Sequence, residues 1–362
     1  MRDTRLCFLY VVWIIVILFF RTPTLHAEKH LSIWPTKKWE ISSPEKHGIN
    51  SGMLDEMFTD KRFKGNLLLV RYGFLVAERY NQEKGKKYAP HIFSCTKGIV
   101  SALIGIALHQ GNLTSIHQNV LDFFPDLNDV QRDEQKQQMT LYHLLTMTSG
   151  LWWTDAASAR IIYDEADWSK YILEKPMVAS PGVRFNYSSG NAHLLSAILQ
   201  KVTKMTTLEY AERYLFKPIG ISAVEWEKNS NNVYLGGWGI KMTLEDMAKF
   251  GYLYLRKGKW KDRQVIPAEW ITISTQQHVK QSKNWVGWGY GYMWNTPPDM
   301  PYATSSLIGG NRHYTYSITL IPDLDIVLVY AGLTNHNEML QLMKTYLLPS
   351  VTPKMKHQFL QN

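Results

Sequence analysis

A serine hydroxyl is a weak nucleophile until a base stands beside it. In Ser94-Cys95-Thr96-Lys97 a serine and a lysine lie three residues apart, and on a helix positions i and i+3 share a face. The run opens an apolar stretch, Gly98 to His109, that stops before Gly111. Such a stretch reads as a buried helix, with Ser94 at its first turn and Lys97 within reach. A helix N-terminus and burial both disfavour a positive charge there. Lys97 is therefore expected to reach the neutral form that accepts a serine proton. The Ser94 N–H at the helix tip would supply half of an oxyanion hole. The pattern is weak alone. It recurs at Ser43-Pro44-Glu45-Lys46 in a polar stretch with no apolar helix behind it, and an N-cap serine with a snorkelling lysine explains such a pair without chemistry.

Two further segments carry candidate chemistry. Tyr187-Ser188-Ser189 lies between Pro181-Gly182 and an apolar stretch. A phenol there, held near a lysine, serves as a proton shuttle; the alternative is an ordinary interface tyrosine. Leu307-Ile308-Gly309-Gly310-Asn311 precedes a strand-like run. Glycines on a strand edge let a substrate approach the backbone, and an N–H among Gly309, Gly310 and Asn311 would complete the oxyanion hole; the alternative is a tight turn.

These segments need a frame. Residues 51–59 read as a short helix. Asn66 to Val70 and Phe74 to Tyr80 read as strands joined at Tyr72-Gly73. Helical patterns follow at Leu141 to Thr146, Gly190 to Val202, Thr206 to Tyr214, Thr243 to Leu255 and Pro267 to Ser274, with Thr243 and Asp246 spaced to cap the fourth. Strand signals return at Gly289 to Trp294, Thr315 to Ile321 and Asp325 to Tyr330, with a turn at Pro322-Asp323, and Met339 to Leu347 closes as a helix. Strands at both ends with helices between them imply an α+β fold. An antiparallel sheet lobe spans about 45–93 and 281–350, a helical lobe about 94–280, and a cleft between them is the expected site.

The whole chain has 362 residues and a net charge of +9, with 13 Trp and 20 Tyr. Its Lys and Arg are scattered, without a run of five or more like charges, so a solvated basic surface is expected and no nucleic-acid partner. Neither HExxH nor CxxC occurs, and no metal or other cofactor is expected. Arg2 and Arg5, the apolar run Leu6 to Phe20, and Leu25 and Ala27 before a break after Ala27 have the layout of a secretory signal peptide. The run is short for a spanning helix; a membrane anchor through residues 6–20 is the alternative. Residues 28–362 are then the folded unit, exported to the periplasm or beyond. Of the two cysteines, Cys7 falls in the leader and Cys95 beside Ser94, which leaves no intrachain disulfide after cleavage and points to a site sensitive to thiol reagents.

In order and context the three segments resemble the serine β-lactamase-related superfamily of class C β-lactamases, D,D-carboxypeptidases, esterases and 6-aminohexanoate-dimer hydrolases. Ser94 to Lys97 matches its Ser-x-x-Lys motif, Tyr187 to Ser189 its Tyr-x-Asn motif, and Leu307 to Asn311 its third, strand-borne motif. His143 to Leu151, Gly237-Trp238-Gly239 before Thr243 to Met247, and Ile321 to Asp325 also resemble family members, so the likeness covers about residues 45–345. Two departures stand out. Ser189 replaces the asparagine, with Asn191 close by as a substitute, and the third motif lacks its basic residue, with His313 nearby but out of register. The resemblance implies a two-step acyl transfer: Ser94 attacks a small ester or amide, Lys97 with Tyr187 moves the proton, and water cleaves the acyl-enzyme. A D,D-peptidase, a β-lactamase and an acylatable sensor that does not turn over are the alternatives. Trp152, Trp153, Tyr163 and Trp168 either line the cleft or pack the lobe.

Overall fold

The computed structural model describes residues 33–80, 85–127, 133–155, 165, 167–222, 224–281, 287–311 and 313–352. The leader over residues 1–27, Cys7 and Tyr163 lie outside the described residues. The apolar runs from the two ends of the chain pair into one sheet. β1 (Gly65–Arg71) and β2 (Phe74–Arg79) form a hairpin whose turn, Tyr72-Gly73, has both residues at positive φ, 52° and 87°. That turn geometry matches the right-handed twist of the strands it joins. Six later strands complete the sheet: β3 (Val279–Lys280), β4 (Gly289–Tyr290), β5 (Asn295–Thr296), β6 (Ser305–Gly310), β7 (Thr315–Ile321) and β8 (Ile326–Gly332). The order is β2-β1-β8-β7-β6-β5-β4-β3, antiparallel throughout. The early hairpin thus docks on the last strand, as expected from sequence.

Each face of the sheet is buried under helices. Leu67, Leu69, Leu328 and Tyr330 pack on one face with α1 (Ser51–Thr59) and the C-terminal helical segment that starts at His336. That segment begins earlier than the sequence pattern suggested because Asn335 caps it, accepting from the Glu338 N–H at 3.0 Å. Leu68, Val70, Ile318 and Val329 face the other way, into the larger core built around α2 (Thr96–His109) and α3 (Ser189–Thr203). α2 is buried from Thr96 through Ala107, which is why its sequence shows no polar face.

Two expectations need correction. The run Gly289 to Trp294 is not one strand. It breaks after Tyr290 into a turn in which the Gly291 N–H donates to the Trp294 carbonyl at 2.7 Å and Met293 takes φ 68°. Aromatic content marked burial there, and burial of turn residues looks the same in sequence as burial of a strand. The helix α4 (Leu244–Leu255), capped by Thr243 as expected (Asp246 N to Thr243 Oγ1, 3.1 Å), lies against β7 and β8 and not in the helical lobe. Its tail holds the β7–β8 turn: Arg256 donates to both oxygens of Asp325, at 2.7 and 2.8 Å.

Candidate active site

Phe93–Cys95 form a single 3-10 turn that leads into α2. Phe93 is held at φ 48°, a region that a bulky residue occupies only when its surroundings impose it. Its ring packs between His91 (4.5 Å between centroids) and Tyr316 (5.6 Å). This kink sets Ser94 just ahead of the helix, with Lys97 one turn on and 1% exposed. Lys97 Nζ donates to Ser94 Oγ at 2.8 Å, Ser189 Oγ at 2.9 Å and the Gly237 carbonyl at 2.8 Å. Burial pulls Lys97 down from 10.5 to about 8, against the opposing pull of the Asp155 carboxylate. At pH 7 roughly one amine in ten is neutral on that value. The second Ser-x-x-Lys is solvent-exposed at both Ser43 and Lys46, beside a 3-10 turn (Glu45–His47), and has none of these contacts.

Tyr187 meets the same pair. Its ring centroid is 4.7 Å from Lys97 Nζ, and its hydroxyl lies near that of Ser94. Burial, helped by Asp155, pushes the phenol well above its ordinary range. Tyr187 therefore stays protonated where Lys97 titrates, so of the two only Lys97 has a form able to take up a proton near neutral pH.

Register decides what the third segment contributes. Gly309 pairs with Tyr316 and Gly310 with Thr315, and beyond them the Asn311 N–H donates to the Tyr314 carbonyl at 3.0 Å. Antiparallel partners exchange hydrogen bonds at alternate positions, so Gly309 and Asn311 face β7 while the Gly310 N–H turns to the opposite edge. That edge is open beyond Ser306, the last position paired with β5. Gly310, not Asn311, is thus the amide free to join Ser94 N–H. The Asn311 side chain is spent on the hairpin, accepting from the N–H groups of His313 (2.8 Å) and Tyr314 (3.0 Å). A Cβ on Gly309 would lie 2.3 Å from the Ile92 carbonyl oxygen, 2.7 Å from Ser94 N and 2.9 Å from Cys95 N. All three are backbone atoms, so Gly309→Ala must shift the Ser94 loop away from β6. Since one misplaced oxyanion donor costs about 10²–10³-fold in kcat, a loss of that size is expected for Gly309→Ala on a p-nitrophenyl ester. Wild-type kinetics in this variant would contradict the account. Leu307 is buried against Gly98 of α2, so an apolar side chain fills the position where the motif's basic residue is expected.

Other expectations resolve differently. Cys95 is fully buried, its thiol 3.5 Å from the Tyr316 carbonyl, and burial pushes it well up. A protonated, inaccessible thiol does not react, so the expected sensitivity to thiol reagents is not supported. Asn191 does not replace the missing asparagine: it is buried and accepts from Ser149 Oγ at 2.9 Å. Ser189 itself takes the contact to Lys97. Trp153 and Trp168 are packing residues, 3% and 2% exposed, while Trp152 is open to solvent. Asp155 was missed. It accepts from Ser189 Oγ (2.9 Å), Ser189 N (3.0 Å) and Trp153 Nε1 (2.6 Å). No spacing rule connects an aspartate to a serine 34 residues later; the Trp-Trp-Thr-Asp cluster was the only signal.

A serine at a helix tip, a buried lysine in contact with it and a glycine-edged strand, set between an antiparallel sheet and a helical lobe, define the β-lactamase/transpeptidase-like fold of serine hydrolases. The chain matches the Beta-lactamase family over residues 72–348, and it belongs to that family. Its fold is similar to that of a protein from Bacillus anthracis assigned as a 6-aminohexanoate-dimer hydrolase, with TM-score 0.71, 16% identity, and 88% of this chain and 89% of that one covered. It is also similar to a class C beta-lactamase mutant, with TM-score 0.64, 14% identity, and 84% and 97% covered. At such identities the likeness is one of fold. In sequence it is 26% identical over 144 residues to Protein flp of Staphylococcus aureus (strain MRSA252), 39% of this chain but only 28% of that protein.

Proposed function

We propose that this protein is an exported serine hydrolase that cleaves a small ester or amide through a Ser94 acyl-enzyme. One observation carries the reading: a buried amine, Lys97 Nζ, lies 2.8 Å from the hydroxyl of Ser94. In acylation Ser94 Oγ bonds to the carbonyl carbon as its proton passes to neutral Lys97. Charge gathers on the carbonyl oxygen, which the N–H groups of Ser94 and Gly310 hold. The tetrahedral adduct collapses, its C–O or C–N bond breaks, and the leaving group takes a proton from Lys97 through Tyr187. Water then attacks the acyl-enzyme by the same route in reverse. Buried Leu307, at the position where the resemblance leads one to expect a basic residue, supports an ester or amide substrate over a penicillin, whose carboxylate calls for a cation. A substrate panel of p-nitrophenyl esters, nitrocefin, a D-Ala-D-Ala peptide and 6-aminohexanoate dimer separates these classes. A fluorophosphonate probe tests the nucleophile: the expected adduct is on the Ser94 peptide, and an adduct elsewhere, or none, ends the reading. Export predicts a mature chain that starts at residue 28, read by intact mass; retention of residues 6–20 would favour an anchor.

The pH profile tests the base. Turnover of a neutral ester needs free enzyme with neutral Lys97, so kcat/KM should climb with pH and level off above about 8. A profile flat from pH 6 to 9 would remove Lys97 from that role.

A further inference from the structure

Lys97 has three polar partners, and their hydrogens decide which way its lone pair points. The Gly237 carbonyl, 2.8 Å away, only accepts. Ser189 Oγ has one proton, and Asp155 Oδ2 takes it at 2.9 Å, so at 2.9 Å from Lys97 Ser189 also only accepts. The neutral amine therefore spends both N–H groups on Gly237 and Ser189. Its lone pair is left facing the one remaining partner, the Ser94 hydroxyl at 2.8 Å. Asp155 is itself held in place: Oδ1 takes the Ser189 N–H at 3.0 Å and the Trp153 indole N–H at 2.6 Å.

We propose that Asp155 is a positioning residue that, by taking the Ser189 proton, aims the lone pair of Lys97 at Ser94 and balances the ammonium formed when the proton crosses. This rests on the hydrolase reading above and deepens it. The transfer balances: Ser94 O–H breaks as Lys97 N–H forms, the Oγ electron pair bonds to the carbonyl carbon, and the new positive charge faces the Asp155 carboxylate across Ser189. Among the described residues the titratable groups around Lys97 are Asp155, Cys95, Tyr187 and, behind Tyr187, Tyr290. Of these Asp155 is the one carboxylate, and it opposes the effect of burial on Lys97. The device uses, at Ser189, a hydroxyl whose polarity a neighbour must set.

Asp155→Asn keeps the shape and inverts the polarity. With its oxygen retained by Trp153 and the Ser189 N–H, the amide NH₂ faces Ser189 Oγ. Ser189 then donates to Lys97 and draws the lone pair away from Ser94. The expected result on a p-nitrophenyl ester is a plateau of kcat/KM at least tenfold lower, with its acid limb moved down by about one pH unit, since a negative neighbour is gone. In a Ser189→Ala background, which has no hydroxyl to misdirect, Asp155→Asn should cost less than threefold. An acid limb that coincides with wild type, or the same loss in both backgrounds, overturns the proposal, because a merely structural aspartate would behave so. If Asp155→Asn does not melt cooperatively, the Ser189 pair decides: Ser189→Thr should exceed Ser189→Ala at least tenfold, and equal rates overturn it. A Ser94→Ala control separates the two claims. Retained turnover there overturns the hydrolase reading and this proposal together, whereas Ser94-dependent turnover with an unmoved Asp155→Asn profile overturns this proposal alone.

Discussion

Ser94→Ala is expected to abolish ester turnover, by about a million-fold in kcat, the order seen when a nucleophile that works as a unit with its base is removed. The fold should persist. Ser94 sits in a 3-10 turn held by the Cys95 N–H to the Ile92 carbonyl (3.2 Å) and by the Phe93 ring packing, none of which uses its hydroxyl. Alanine leaves Lys97 its contacts to Ser189 and Gly237. The measurement is burst and steady-state release of p-nitrophenol beside a thermal melt. The prediction requires the burst to vanish while the melt stays cooperative. Activity within a hundredfold of wild type would place the nucleophile elsewhere.

Lys97→Met separates activity from stability. Without the amine no other base among the described residues stands beside Ser94 to accept its proton, and a loss of roughly 10⁵-fold is expected, near that expected for Ser94→Ala. Stability should move the other way. The folded-state value of Lys97 is about 8 against an ordinary 10.5, so between these pH values the unfolded chain binds more protons than the folded one, and this group makes stability rise with pH. Below pH 8 the native state carries the full cost of the buried ammonium, about 3 kcal/mol by that shift; above pH 10.5 the cost is gone. Methionine fills similar space without a charge, so at pH 7 the variant should be at least as stable as wild type. Asp155 losing its counter-charge trims the gain. By pH 10 the advantage should shrink. Urea unfolding at both pH values checks this, and a variant several kcal/mol less stable at pH 7 would show that Lys97 is mainly a structural cation.

Much of this was readable in the chain before any coordinates, for physical reasons that differ by element. α2 was plain because burial on all sides leaves the stretch from Gly98 to Leu108 apolar nearly all round, with Gly111 to stop it. β7 and β8 were plain because β-branched and aromatic residues cluster there and Pro322-Asp323 marks the turn. The residues β3 and β5 contribute were not, since two-residue strands have no period to detect. The place of α4 was missed because an amphipathic helix shows that one face is buried but not against what.

The contact of Ser94 with Lys97 and the place of Tyr187 were determined by local rules: helical spacing puts Lys97 beside Ser94, and a Gly/Pro loop before a helix presents Tyr187. Only the tertiary structure decided the rest. Sheet register chose Gly310 over Asn311 as the free amide, and long-range packing buried Cys95 and Leu307. It also brought Asp155 through Ser189 to Lys97, a contact between segments far apart in sequence. A hydrogen bond across such a distance depends on how the chain closes in space, and no periodicity along it encodes that closure.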